Sequence, residues 1–286
     1  MTDSGEEAFG RLIGRLEPAH GAFLATLKRG LGATPQWGVD DQPGRVLLEL
    51  TAAAAVHYLA GLYLVQRADQ AFASEVFVRS QLEYMVNVAF VAGRDDPAPR
   101  GTAEQRAGCL RVARAREVAR LLSRSPAAGT EEKTLAQASV DAAVRAHDQG
   151  GCAHPGATNR WPCRAGTTHS MVKFMLGRLQ RPVIPEADRV PAFVVQIFEA
   201  ASLSLHLLGL GRFLLPDPAT GAIVFTPAKF VLRAHLVEAL LYGLDRGMTW
   251  TLDLLVPGTS DPFREWMADV RSDRTYKAAK AGELDG

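Results

Sequence analysis

The alternation of apolar and polar positions along the chain predicts helix almost throughout. Between Phe72 and Val91 the apolar stretch FASEVFVRSQLEYMVNVAFV carries Glu75, Arg79, Glu83 and Asn87 at a repeat of four. On an α-helix each such step turns by about 40°, so the four side chains form one slowly rotating stripe among Val78, Leu82, Met85 and Phe90. A polar stripe on so oily a helix faces water, or it faces other polar groups and a ligand inside a bundle.

Upstream, Phe9, Leu12, Ile13, Leu16, Phe23, Leu24 and Leu27 recur at helical spacing and are interrupted at Pro18, which predicts two short helices from Glu6 to about Leu31. Arg45 to Asp69 reads as a long helix rich in Ala and Leu. Thr102 to Ser125 reads as another, opened by a capping box of Thr102 and Gln105, and Thr130 to Gln149 as a more polar one. From Gly150 to Thr168 the density of Gly and Pro denies any regular element. Helical spacing resumes over His169 to Gln180, Ala192 to Leu215 and Pro227 to Val256, and a short helix is expected around Phe263 to Val270. PDPATGAIVF is the one stretch that reads as a turn into a brief extended piece. Nothing repeats at a fixed period. The expected fold is therefore a single all-α multi-helix bundle over residues 1–286, with N-terminal helices and a loop at 1–44, an irregular insertion at 150–168 and a frayed tail at 272–286.

The helix AFVVQIFEAASLSLHLLGLGRFLL supplies a partner for the stripe, because Glu199, Ser202 and His206 fall within about 60° of one another on an otherwise apolar cylinder. Unpaired buried charge costs several kcal/mol, so the two seams are expected to face each other, Arg79 pairing with Glu83 or Glu75 and His206 with Glu199. The last long helix gathers His235, Glu238, Tyr242, Asp245, Arg246, Thr249 and Asp253 on a face broad enough to read as solvent-facing.

Arg79-x-x-x-Glu83, followed much later by Phe198, Ser202 and His206 at intervals of four, resembles the signature of a broad bacterial family of uncharacterised helical proteins, which usually shows Tyr where this chain has Phe198. The resemblance covers the region from Val46 to Phe213 and implies that Arg79, Glu83, Ser202 and His206 belong together.

Two readings of the seams stand side by side. One is a polar network that locks helix register, in a non-catalytic interaction protein whose apolar helices also serve a homo-oligomer interface. The other is an interhelical pocket for a small anionic or amide-bearing ligand. In it Arg79 anchors the ligand, His206 acts as general base oriented by Glu199 or Glu83, and Ser202 is a hydrogen-bond donor or nucleophile. Glu75, Asn87 and His57 join Arg79 as ligand-binding candidates, although His57, alone among Ala, Val and Leu, also reads as a core histidine. Whether the protein is an enzyme stays open on residues alone. A helical nuclease-like module acting on RNA is the rival from another class; such modules carry an Arg and then a His four to six residues on, where this chain has Glu83.

Cys152, His154, Cys163 and His169 offer four soft or borderline ligands within one loop, a candidate zinc set whose spacing matches no common knuckle; no other cofactor is implied. Phosphate-binding glycine loops are lacking. With 32 basic against 31 acidic residues the formal charge is +1, which removes the argument for a globally charge-driven partner such as nucleic acid. The arginines 106, 111, 114, 116, 120 and 124 spread around one helix and read as a solvated face paired with acids. Six Lys against a large excess of Arg fits the coding bias of a GC-rich bacterial genome. An odd count of three Cys and an acidic N-terminus without a signal-peptide layout point to the cytoplasm. The run from Ala52 to Val65, broken by His57, Tyr58 and Tyr63, is read as too short to span a membrane.

Overall fold

Helical spacing becomes helix in nearly every stretch that shows it. The computed structural model describes residues 5–31, 42–150, 168–205, 214–216, 219–225, 228–258 and 260–284. In chain order these form α1 (Gly5–Leu16), α2 (Ala19–Leu31), α3 (Gln42–Val65), α4 (Glu75–Ala92), α5 (Ala103–Arg124), α6 (Thr130–Gly150), α7 (Thr168–Leu179), α8 (Ala192–Leu205), α9 (Phe230–Leu255), α10 (Asp261–Ser272) and α11 (Arg274–Ala281). The protein is all-α. Its extended structure, among the described residues, is one small antiparallel hairpin, β1 (Leu214–Pro216) against β2 (Ile223–Phe225), in register Leu214 to Phe225.

Contacts gather these elements into two compact units. Unit one is Met1–Gln36, Leu50–Met85 and Pro191–Gly286; unit two is Trp37–Glu49 and Val86–Val190.

In unit one α9 is buried along most of its length, including Leu236, Leu240, Leu244, Met248, Trp250 and Leu252. The apolar faces of the other helices supply the rest of the core: Phe9, Leu12, Ile13 and Leu16 from α1, Tyr58, Leu62 and Val65 from α3, Val78 and Leu82 from α4, and Phe198 from α8. Each fully buried side chain of this size stabilises by about 1.5–3 kcal/mol against exposure. Two glycines set how closely α4 and α9 approach. A Cβ at Gly243 would stand 2.9 Å from the backbone carbon and oxygen of Gln81, and one at Gly247 would overlap the ring of Tyr84. That ring is fixed by its hydroxyl, 3.0 Å from Thr51 Oγ1, and burial pushes its pKa up to about 12.

The polar face of α9 is not solvent-facing, contrary to the sequence reading. Tyr242, Asp245 and Thr249 are buried, because the C-terminal residues fold back along α9 as α10 and α11. Arg264 pairs with Asp253 at 3.0 Å, Arg271 with Asp245 at 2.7 Å and Lys280 with Glu238 at 2.7 Å. The bases ascend the chain as the acids descend it, as antiparallel helices require. The tail expected to fray from residue 272 thus carries a further helix, started by the Asp273 carboxylate accepting from Thr275 N and ended by Gly282 at φ 78°.

The deepest charge in unit one is Arg233 on α9, 1% exposed. It donates from Nη1 to Glu6 Oε1 at 2.7 Å and from Nε to the Val65 carbonyl at 2.9 Å, and also bonds the Gln66 carbonyl. Those carbonyls lie at the C-terminus of α3, where no intrahelical donor remains. The rings of Phe9 and Phe230, at 4.4 Å and 4.8 Å, cover the guanidinium.

The membrane reading also needs correction in one respect. As a helix, Pro43–Val65 is 23 residues long with mean hydropathy 1.4, long and apolar enough to cross a membrane by length and composition, and 44% of its apolar window is buried within the protein.

Unit two is built on the pair α5 and α6. The capping box forms as expected, with Gln105 N donating to Thr102 Oγ1 at 3.2 Å and Thr102 N to Gln105 Oε1 at 3.0 Å. Arg106 is buried and turns back to the end of α4, donating to the carbonyls of Val91 at 3.0 Å and Gly101 at 2.6 Å. Other arginines of α5 are paired with acids as the sequence suggested, Arg114 with Glu49 at 3.1 Å and Arg120 with Glu117.

Candidate functional site

The α4 stripe forms, and its slow rotation sets a gradient of burial. Glu75, in the first turn, is buried. One step on, Arg79 Nε donates to Glu83 Oε1 at 3.0 Å, with the two side chains 17% and 25% exposed. The opposite face of α4 carries the packing groups: Phe77 lies against His57, ring centroids 5.9 Å apart, and Gln81 Nε2 donates to the Ala54 carbonyl at 2.5 Å. The stripe is therefore held clear of the α3 and α9 contacts by the helix's own periodicity.

The second seam meets the first on α8. The Arg79 guanidinium stands over the Phe198 ring at 5.8 Å, and one turn on, Ser202 is buried with its hydroxyl donating to the Phe198 carbonyl at 2.8 Å. That bond commits the Ser202 proton to its own helix. Glu199 lies on the exposed side of α8. His206, next in the series 198, 202, 206, lies outside the described residues.

Unit one thus contains a buried network of polar and charged side chains, joined by ion pairs and hydrogen bonds, of which Arg79 is the half-open member. Among the described residues its Nε bonds Glu83, while Nη1 and Nη2 have no hydrogen-bond partner. Glu83 likewise keeps one oxygen uncommitted. His57 is half-buried against Phe77 and is not brought into hydrogen bonding among the described residues. Asn87 belongs to unit two, where its Oδ1 is a buried acceptor without a partner among the described residues.

The zinc expectation does not hold. Among the described residues no group of three or more His, Cys, Asp or Glu side chains converges to hold a metal ion. Cys152, His154 and Cys163 lie outside them, as does the side chain of His169. The described cysteine, Cys109, is buried and forms no disulfide among the described residues.

Two polar groupings in unit two escaped the sequence reading. Arg178 on α7 bonds Asp95 Oδ2 at 3.1 Å and Asp96 Oδ2 at 2.5 Å, both in the turn after α4. Desolvation pushes the pKa of Asp95 up to about 6, outweighing the pull of Arg178. Asp96 is also raised by desolvation, but the Ala98 N–H and Arg178 bring it below the usual value overall. The signs differ. Folded Asp95 holds a proton between about pH 4 and 6 that the unfolded chain has released, so its contribution to stability is lost as pH rises through 6; that of Asp96 is lost only in stronger acid. A carboxyl NMR titration should place the Asp95 midpoint near 6, and Asp95→Asn should remove its part of the stability slope between pH 4 and 6. A midpoint below 4 would contradict the desolvated environment. A consecutive Asp-Asp before a proline, with Arg far along the chain, gives no local sign of this pairing. The other grouping is Cys109 with His147, on α5 and α6.

Comparison with models of known protein families, with curated proteins and with solved structures finds no match to this chain. The fold and the site together define an all-helical protein with a buried polar interhelical network.

Proposed function

We propose that unit one binds a small ligand through an anionic or amide group seated on Arg79. The supporting observation is the state of the guanidinium: Nε is fixed by Glu83 at 3.0 Å and the plane by Phe198 at 5.8 Å, while both Nη groups are unengaged among the described residues. A guanidinium oriented in advance by a carboxylate and a ring is suited to bidentate donation to a carboxylate or phosphate. With an amide, its oxygen takes an Nη donor and its N–H meets the free Glu83 oxygen. Ser202 contributes an acceptor edge, and the sequence series carries His206 as the acid/base group of the same seam.

A thermal-shift screen of small carboxylates, phosphates and primary amides tests the reading. At least one class should raise the melting temperature of the wild-type protein in a concentration-dependent way, and Arg79→Ala should abolish the shift. If no class stabilises the wild type, or if Arg79→Ala retains the response, the seam is not a ligand site.

A further inference from the structure

α3 is apolar on two sides, and one of them is exposed. On the buried side Thr51 lies 3.0 Å from the Tyr84 hydroxyl and Tyr58 donates to the Leu16 carbonyl at 3.0 Å, with Leu62 and Val65 in the core of unit one. On the other side Val56 is 66% exposed, Leu59 43% and Tyr63 62%, and Ala52 is exposed with them. No Asp, Glu, Lys or Arg occurs between Glu49 and Arg67. Ala52, Val56, Leu59 and Tyr63 follow one another at steps of four, three and four, which keeps them within about 60° on the helix. Alternating steps of three and four are the spacing of a coiled-coil seam, the pattern by which one helix receives the side chains of another.

The seam matches itself when reversed. About a two-fold axis crossing α3 midway between positions 57 and 58, Val56 of one copy faces Leu59 of the other and Ala52 faces Tyr63, so a smaller side chain meets a larger one at every place. One step further out the same axis brings Glu49 opposite Gln66, with Arg67 beside it, and Glu49 and Arg67 are both exposed. An acidic end therefore meets a basic one at each end of the pair. Two heptads would not hold free peptides together, but α3 is already kept helical by its buried face, and pairing needs no folding on contact. A lipid surface fits the seam less well. The charges that flank it are of both signs, Arg45 with Glu49 at 3.2 Å and Arg67 with Asp69 at 3.7 Å, and they leave no basic excess to draw an anionic leaflet.

We propose that the exposed face of α3 is a self-association surface, on which a second copy of this chain packs its own α3 antiparallel, Val56 against Leu59 and Ala52 against Tyr63. The pairing does not depend on Arg79. So short a seam gives a reversible dimer with a dissociation constant in the micromolar range.

Sedimentation velocity of the full chain across the micromolar range should show a monomer–dimer equilibrium. Leu59→Glu or Val56→Lys alone should weaken it at least tenfold, because each sets a charge against an apolar side chain of the other copy, and far-UV circular dichroism should stay unchanged because both positions are exposed. Mixed together, the two variants should recover a one-to-one dimer, since this register sets the introduced ammonium against the introduced carboxylate and keeps the second contact of Val56 with Leu59. Tyr63→Ala, a plain truncation, should also weaken the dimer and stands as the test if a charged variant fails to fold. A wild-type chain that stays monomeric throughout, a dimer unaffected by Leu59→Glu or Tyr63→Ala, or folded charged variants that fail to pair when mixed would overturn the proposal. So would flotation of the wild type with phosphatidylcholine or phosphatidylserine vesicles that Leu59→Glu abolishes, an outcome that assigns the face to lipid.

Discussion

Gly243→Ala is expected to lower the stability of unit one by about 3 kcal/mol, the upper end for overpacking a close-packed interior. The reason is what the new methyl meets. At 2.9 Å it strikes the Gln81 carbonyl carbon and oxygen, which are backbone and cannot turn aside, so α4 and α9 have to separate. Separation strains the 2.5 Å bond from Gln81 to the Ala54 carbonyl and thins the contacts of Leu82 and Leu240. Gly247→Ala should cost a comparable amount by a different route, because the Tyr84 ring it overlaps is pinned through Thr51. Urea unfolding of the single variants measures both. Adding Tyr84→Ala to Gly247→Ala should then cost less than the sum of the two changes, by 1 kcal/mol or more, since the second substitution removes the obstruction. Additive losses would mean that the ring is not what the glycine accommodates.

Arg233→Met is the second large effect, also about 3 kcal/mol. Removal of the guanidinium strands the Val65 and Gln66 carbonyls at the end of α3 and takes the cation from between Phe9 and Phe230. Glu6 is 57% exposed and is solvated once freed, so Glu6→Gln should cost about 1 kcal/mol or less. The contrast between the two halves of one ion pair is the informative quantity. Equal losses would place the energy in the ion pair. A Met variant as stable as the wild type would show that desolvating the guanidinium offsets the bonds it makes.

Local signals carried the helices and the first seam. The capping box at Thr102, the repeat of four from Glu75 to Asn87 and the interval from Phe198 to Ser202 all report on neighbours within two turns, and the structure has Arg79, Glu83, Phe198 and Ser202 together in unit one. Arg233 was invisible for the opposite reason. Its partners Glu6 and Val65 are far away in sequence, and one arginine in an apolar helix carries no periodic mark. The polar face of α9 was misread because amphipathicity says which side is polar and not what covers it. The covering helices left a trace in the sequence all the same: Arg264, Arg271 and Lys280 ascend while their acids Asp253, Asp245 and Glu238 descend. Cys109 and His147 sit on consecutive helices, and their meeting follows from the α5–α6 turn, which sets which faces oppose.

The central claim is that the α4 seam is a site and not a structural lock, and Arg79→Ala distinguishes the two in the absence of any ligand. With its side chain 17% exposed, bonded only through Nε among the described residues, and paired with a carboxylate four residues along the same helix, Arg79 should contribute about 1 kcal/mol. Urea denaturation of the variant is therefore predicted to show that small loss with an unchanged m-value. A loss of 3 kcal/mol or more would contradict the account and assign Arg79 to holding α4 and α8 in register.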